Sequence, residues 1–247
     1  MNNVPPIRRR QMHAFSLVEL LVVIGVVVLL VGILVPALSA ARQASRRAVL
    51  LANLSHSTAV LQTYAHDQRD AFPATGAPYA NIPFQLNGRP ETLAVHFFMS
   101  ELWFLFIADA YLGGQLRPAS VRDPRGGFLN MSCTTLAEPN YFDPFLWTGR
   151  SQLNGQRFAN AVFPSKKVLL VSDNFTRDTP NGFVEPRRAG LIHYVAFVDG
   201  HAAALPTADW HSIELMGCMQ VPDAGRHSTE HWPGGHTPSG IRGSDIR

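Results

Sequence analysis

The sequence predicts an α+β protein: one long N-terminal α-helix packed on a small antiparallel β-sheet head that carries an extra helix. Three observations lead there. Residues 15–38 are almost wholly apolar and run on into a second stretch, 39–70, of strong helix formers. "KKVLLVSDN" reads as a buried strand, and "LIHYVAFVDGHAAAL" as a hairpin turning at Asp199–Gly200. The segments between are rich in the chain's 18 prolines and 19 glycines, which punctuate short elements.

The first element is the apolar one. Residues 20–35 carry no charge, and 15–38 is long enough to cross a bilayer, which takes ~20 residues. Arg8, Arg9 and Arg10 precede it and suit a cytoplasmic start, but Arg42, Arg46 and Arg47 follow closely on the other side. A plain signal anchor fits this pattern. A cleaved signal peptide also has support, with small residues in "PALSA" at Ala37 and Ser39, although the apolar core exceeds the usual ~7–15 residues. A twin-arginine reading of "RRRQMHAF" is weaker, because the residues after the arginines do not suit it. None of these explains Glu19, a carboxylate at the mouth of the apolar run.

A fourth reading does. Ala14, Phe15, Ser16, Leu17, Val18 and Glu19, then an apolar run and Pro36, follow a short basic leader. The stretch resembles the N-terminus of prepilins, the precursors of type IV pilins and type II secretion pseudopilins. Ala14 stands where that family usually has glycine, and a small residue still fits. The resemblance implies that prepilin peptidase cuts between Ala14 and Phe15 and that the new amino group of Phe15 is methylated. It also implies that Glu19 neutralises the N-terminal amine of a neighbouring subunit. That role is physically sensible, since an ionisable group in hydrocarbon is tolerable mainly when paired. The fold it implies is pilin-like, a stalk helix with a membrane half and an amphipathic half.

The amphipathic half follows. Residues 37–70 lack Pro and Gly, and Leu50, Leu54, Leu61 and Tyr64, with Val60 beside them, recur at helical spacing. Arg46, Arg47, Asn53 and Gln62 are expected on the opposite, outward side. A helix from 16 to about 68 would be ~80 Å long. Pro36 is expected to kink it, and "DAFP" at 70–73 to end it. Ala41–Arg42, Asn53–Leu54, Tyr64, Asp67 and Phe72–Pro73 also resemble the stalk of a large bacterial prepilin-like subgroup.

In the head, residues 74–90 read as a loop. The apolar stretch 91–114 reads as a buried helix, stopped by Gly113–Gly114, because Glu101, with His96 and Asp109 nearby, makes it a poor membrane span. Phe97, Phe98, Trp103, Phe104 and Phe106 are expected in the core. Residues 115–165 read as irregular, and 168–171 as a strand with Asp173 at its end as a turn or cap residue. "FVDGHA" resembles the C-terminal Asp-Gly signature of the same subgroup. The subgroup's histidine, ten positions earlier, is Ala189 here, and the nearest histidine is His193, so the match is partial. Asp199 is expected to be a turn residue. The tail 222–247, with His227, His231 and His236 among Gly, Pro and Ser, reads as solvated and poorly ordered.

Net charge is +3, with no dense basic patch after residue 50, so no nucleic-acid partner is expected. Cys133 and Cys218 lack metal-ligand spacing; they could pair if the domain is exported, or be free thiols in the cytosol. No G-x-S-x-G, phosphate-loop, H-E-x-x-H or EF-hand pattern occurs, so no catalysis, metal or cofactor is expected. The expected organisation is a leader (1–14), a membrane half-helix (15–38), an amphipathic half-helix (39–72), a head (73–221) and a tail (222–247). The resemblance implies a structural subunit of a secretion or pilus assembly in the cytoplasmic membrane, with its head outside. The implied partners are prepilin peptidase, other subunits met through the N-terminal helix, an inner-membrane assembly platform and the lipid bilayer. The alternative is a single-pass or secreted binding or hydrolytic domain whose N-terminus only targets it.

Overall fold

The computed structural model of the chain describes residues 17–73, 82–86, 89–93, 99–115, 118–142, 146, 148, 150–172, 192–206 and 240–246. The architecture is α+β, as the sequence predicts. The chain divides into two units, Met1–Ser45 and Arg46–Arg247.

Helix α1 runs over Leu17–Asp67 with Pro36 inside it. In its first part every large hydrophobic from Leu17 to Leu38 is at least half exposed. In its second part the expected stripe is buried. Leu50, Leu54 and Leu61 are fully enclosed, while Tyr64 and Val60 pack at the margin of the core. Burial of each leucine is worth about 1.5–3 kcal/mol. Ser57 and Thr58 are buried in the same face, which an apolar pattern does not reveal.

The outward side is corrected in part. Arg46 and Arg47 are exposed. Asn53 and Gln62, expected beside them, reach into the head instead. Asn53 Nδ2 donates to the carbonyls of Ala119 (3.0 Å) and Arg122 (2.9 Å), and Gln62 Nε2 donates to that of Val198 (2.9 Å). Ser57 Oγ donates to Ser120 O at 2.9 Å. Helix α1 thus satisfies backbone acceptors in the loop 119–122 and at the β5–β6 turn.

The helix ends where "DAFP" begins. Arg69 and Asp70 turn left-handed at φ 57° and 69°. Asp70 then accepts a hydrogen bond from the Ala159 amide at 2.9 Å, and Phe72 stacks on Phe158 at 4.0 Å.

Residues 74–90 were expected as a loop, and the structure corrects this. Strands β1 (Ile82–Leu86) and β2 (Arg89–Leu93) pair antiparallel, with Leu86 opposite Arg89. Asn87 and Gly88 separate them, the sequence signal for a two-residue hairpin. Strand β2 also takes the start of the expected helix, so α2 covers only Met99–Tyr111, with an irregular residue at Leu102. Gly113 and Gly114 stop α2 at positive φ (61° and 73°), and the Gly114 amide reaches back to Ala108 O at 3.0 Å. Trp103 and Phe104 are buried and Phe106 is half-buried; Phe97 and Phe98 lie outside the described residues.

The main sheet is antiparallel in the order β3 (Leu129–Met131), β4 (Val168–Ser172), β5 (Ile192–Phe197), β6 (Ala202–Pro206). Strand β4 is buried along its whole length, as its apolar run predicts. A register shift between Val168 and Leu170 sends Leu169 and Leu170 to the face that meets α1 and α2. Val168, Val171, Val195 and Phe197 line the other face. Trp103 Nε1 ties α2 to β3 through Leu129 O at 2.7 Å. Residues 118–160 carry short 3-10 turns, as expected of the irregular region 115–165, but β3 lies inside that region and corrects the expectation there: its three residues are too few to show a strand pattern.

The end of the expected tail departs from expectation. Residues 240–246 belong to the head: Gly240, Ile241 and Asp245 are buried and Ile246 packs on the second sheet face. Residues 222–239, with their three histidines, lie outside the described residues.

On β5, burial lowers the His193 ring to a pKa of about 4. The folded state therefore binds fewer protons than the unfolded one between that value and ~6.5. Stability is full above ~6.5 and declines as pH falls towards 4. The melting temperature of the detergent-solubilised chain should drop over that interval, and His193→Gln should flatten the decline; an unchanged slope in that variant would contradict the assignment.

Candidate functional site

Among the described residues, charged side chains stand out at three places on these elements, besides the Asp199–His201 pair of the β5–β6 turn. The first is the start of α1. Glu19 lies in the first turn of the helix and is exposed. It is the one ionisable side chain among residues 17–38, and a carboxylate suits the positive end of a helix. Ala14 and Phe15 lie outside the described residues. Among the described residues, α1 is the single helix long and apolar enough to cross a membrane. Pro36 lies within that helix rather than at a break.

The second place is the turn between Arg122 and Phe128, where those two residues form an isolated bridge. "DPRGG" at 123–127 closes the turn, with Gly126 and Gly127 at φ 120° and 94°. Asp123 is buried, and Arg125 folds back onto it. Arg125 Nη2 lies 2.8 Å from Asp123 Oδ2, and its Nε and backbone N–H donate to Oδ1 at 3.1 and 2.8 Å. The Ser172 hydroxyl at the end of β4 donates to the same carboxylate and accepts from Arg125 Nη2 at 2.9 Å. The guanidinium also sits 4.6 Å from the centre of the Tyr194 ring. Burial would push the Asp123 carboxyl up. The hydrogen bonds from Arg125 and Ser172 and the guanidinium charge outweigh it and hold the group below the usual carboxylate range. An open groove of about 410 Å³ runs along residues 122–128. Asp123 and Arg125 both line the groove, and there the carboxylate and the guanidinium are engaged with each other and with Ser172, which locks the turn.

The third place joins the start of β4 to the C-terminus. Lys167 is 1% exposed, and its ammonium donates to Asp245 Oδ1 (3.0 Å) and Gly240 O (2.7 Å). Burial pulls the lysine below its usual range, and the Asp245 carboxylate opposes that without cancelling it.

Of the other residues singled out in the sequence, Asp199 is in the expected turn. Its carboxylate accepts from the His201 amide (3.2 Å) and lies 2.6 Å from His201 Nδ1, while the His201 ring stacks on Phe197 at 4.1 Å. Gly200 takes φ 99°, with Gln62 of α1 packed against it. Cys133 is buried and disulfide-bonded. Cys218, Asp173 and Ala189 lie outside the described residues. No cluster of three or more His, Cys, Asp or Glu side chains placed to hold a metal occurs among the described residues. Asp123, Arg125, Lys167 and Asp245 were not singled out beforehand. The Asp-Pro-x-Gly-Gly turn was a visible signal for the first pair; nothing local marked the second.

Asp123→Asn leaves Arg125 facing a neutral amide. Because the Arg125 side chain is 26% exposed, water offsets part of that loss. The variant should lose about 1–2 kcal/mol in chemical denaturation; wild-type stability would mean that the turn is held by its glycines alone.

No protein-family model, no curated protein and no solved structure matches the chain.

Proposed function

We propose that the chain is a structural subunit of prepilin type, a pseudopilin or minor pilin. In this reading prepilin peptidase removes residues 1–14, the amine of Phe15 is methylated, and residues 15–38 stay in the cytoplasmic membrane. The head then lies outside the cytoplasm. Glu19 acts as an assembly device, taking the charge of a neighbouring subunit's Phe15 amine inside the apolar layer. An inner-membrane platform would receive the subunit, and neighbouring subunits would meet it through α1.

One observation carries this reading. The residues that expose their apolar side chains at Leu17–Leu38 and the residues that build the head's core at Leu50, Leu54 and Leu61 lie on a single helix, and the exposed part holds one carboxylate at its start. An apolar surface of that extent is far larger than water-exposed proteins tolerate, so lipid or other subunits must cover it. A removable targeting peptide has no need to be continuous with a core helix. The disulfide at Cys133 supports a head in an oxidising compartment.

The second reading, a single-pass or secreted binding or hydrolytic domain, draws on the groove at residues 122–128. It assigns no role to Glu19.

Glu19→Ala separates the two. In the source cell the variant should be processed at wild-type level, yet cross-links between the α1 helices of neighbouring subunits should fall at least about ten-fold, the loss expected for one charged pair. Undiminished cross-linking would refute the pairing role of Glu19.

A further inference from the structure

The groove along residues 122–128, at about 410 Å³, is within the range of small-molecule sites, roughly 300–1,000 Å³. Its charged lining is unbalanced. Arg122 and Arg125 bring two guanidiniums and Asp123 one carboxylate. That carboxylate is spent on Arg125 and Ser172. Arg125 meets its partners through the backbone amide, Nε and Nη2. Among the described residues no partner engages its Nη1 or the guanidinium of the exposed Arg122. One positive charge and several strong donors are left over at the groove. Both arginines are anchored. Arg125 is gripped by Asp123 and Ser172 and lies against the Tyr194 ring. The Arg122 amide donates to Ala119 O at 3.2 Å, and its carbonyl accepts from Asn53 of α1 at 2.9 Å. Arg122 also faces Phe128 across an antiparallel bridge, which puts both side chains on one side of the turn. The Phe128 ring is stacked on Phe104 at 5.3 Å, so it is a fixed wall. Gly126 and Gly127 add no side chains to the lining.

We propose that this groove binds the carboxylate of a small organic acid, with Arg122 as the main contact, Arg125 Nη1 as a second donor and Phe128 as the wall for the ligand's carbon body. The ligand's charge follows from the lining: one uncompensated positive charge balances a monoanion. A planar guanidinium fork matches a carboxylate with two parallel hydrogen bonds. Phe128 and Pro124 give apolar surface that a carbon body can cover and a bare inorganic anion cannot. Arg125 is already ordered by its own partners, so its free N–H groups bind without the cost of fixing a long side chain. The inference stands on the head alone and depends on neither reading of the N-terminus.

The test uses the full chain in detergent, labelled with 15N-glycine, and follows the amide signals of Gly126 and Gly127. Benzoate is the probe, benzamide its neutral counterpart and inorganic phosphate the bare anion. Benzoate at millimolar concentration should shift both signals saturably, phosphate should bind more weakly, and benzamide should leave them in place. Arg122→Gln should keep the fold, since the Arg122 side chain bonds nothing among the described residues, and should weaken benzoate binding at least about ten-fold, the ratio for loss of a charged hydrogen bond. Benzamide binding as well as benzoate, phosphate binding more tightly, an unchanged affinity in the variant, or no shift with benzoate would each overturn the proposal. The comparison of the three probes on the wild-type chain decides the matter even without the variant.

Discussion

The head depends on one buried helix face. Leu50, Leu54, Ser57, Thr58 and Leu61 lie on successive turns of α1, and the other elements of the core gather on them. Loss of any one leucine to alanine would leave a cavity costing about 2–5 kcal/mol, a large share of the stability of a domain this size. The polar members of the face are as constraining as the apolar ones. Ser57 and, one turn earlier, Asn53 donate to the carbonyls of Ala119, Ser120 and Arg122, which sets the loop that leads to Asp123. Next to Leu61, Gln62 holds Val198 O at the tip of the β5–β6 hairpin. The helix therefore positions both ends of the head's irregular structure, and the sheet fits between.

Two ion pairs close what the helix leaves open. Asp123 and Arg125 lock a glycine-rich turn against Ser172 at one end of β4. Lys167 and Asp245 lock the C-terminus against its other end. A buried pair of this kind adds little net stability over an apolar pair, because desolvation consumes most of the attraction. Its effect is on specificity: one misplaced partner leaves a buried charge, so competing arrangements of the same strands are disfavoured.

How much of this was legible follows from the range of each signal. The stalk stripe and the β5–β6 hairpin were readable because periodicity and an Asp-Gly turn are local. Strand β4 was readable because five consecutive buried residues demand an apolar run. The hairpin at 82–93 is signalled by Asn87–Gly88, but Pro83 and Pro90 mask the alternation of its strands. Asn53 and Gln62 look like solvent residues in sequence, and only the loops folded against α1 turn them inward. The docking of residues 240–246 was out of reach, since Lys167 and Asp245 are 78 positions apart and the flanking Gly, Pro and Ser suggest the opposite. Glu19 is the reverse case: a role for it comes from the resemblance alone, and the structure shows its exposed place in the first turn of α1.

The central claim is that the exposed apolar half of α1 is a permanent, processed part of the protein. The most direct measurement is the mass of the N-terminal peptide of the mature chain taken from native membranes. The account predicts a methylated peptide beginning at Phe15. A mature chain beginning near Ala40 would contradict it, because the apolar half would then be a discarded targeting segment. A chain still beginning at Met1 would contradict the processing and leave a membrane anchor alone.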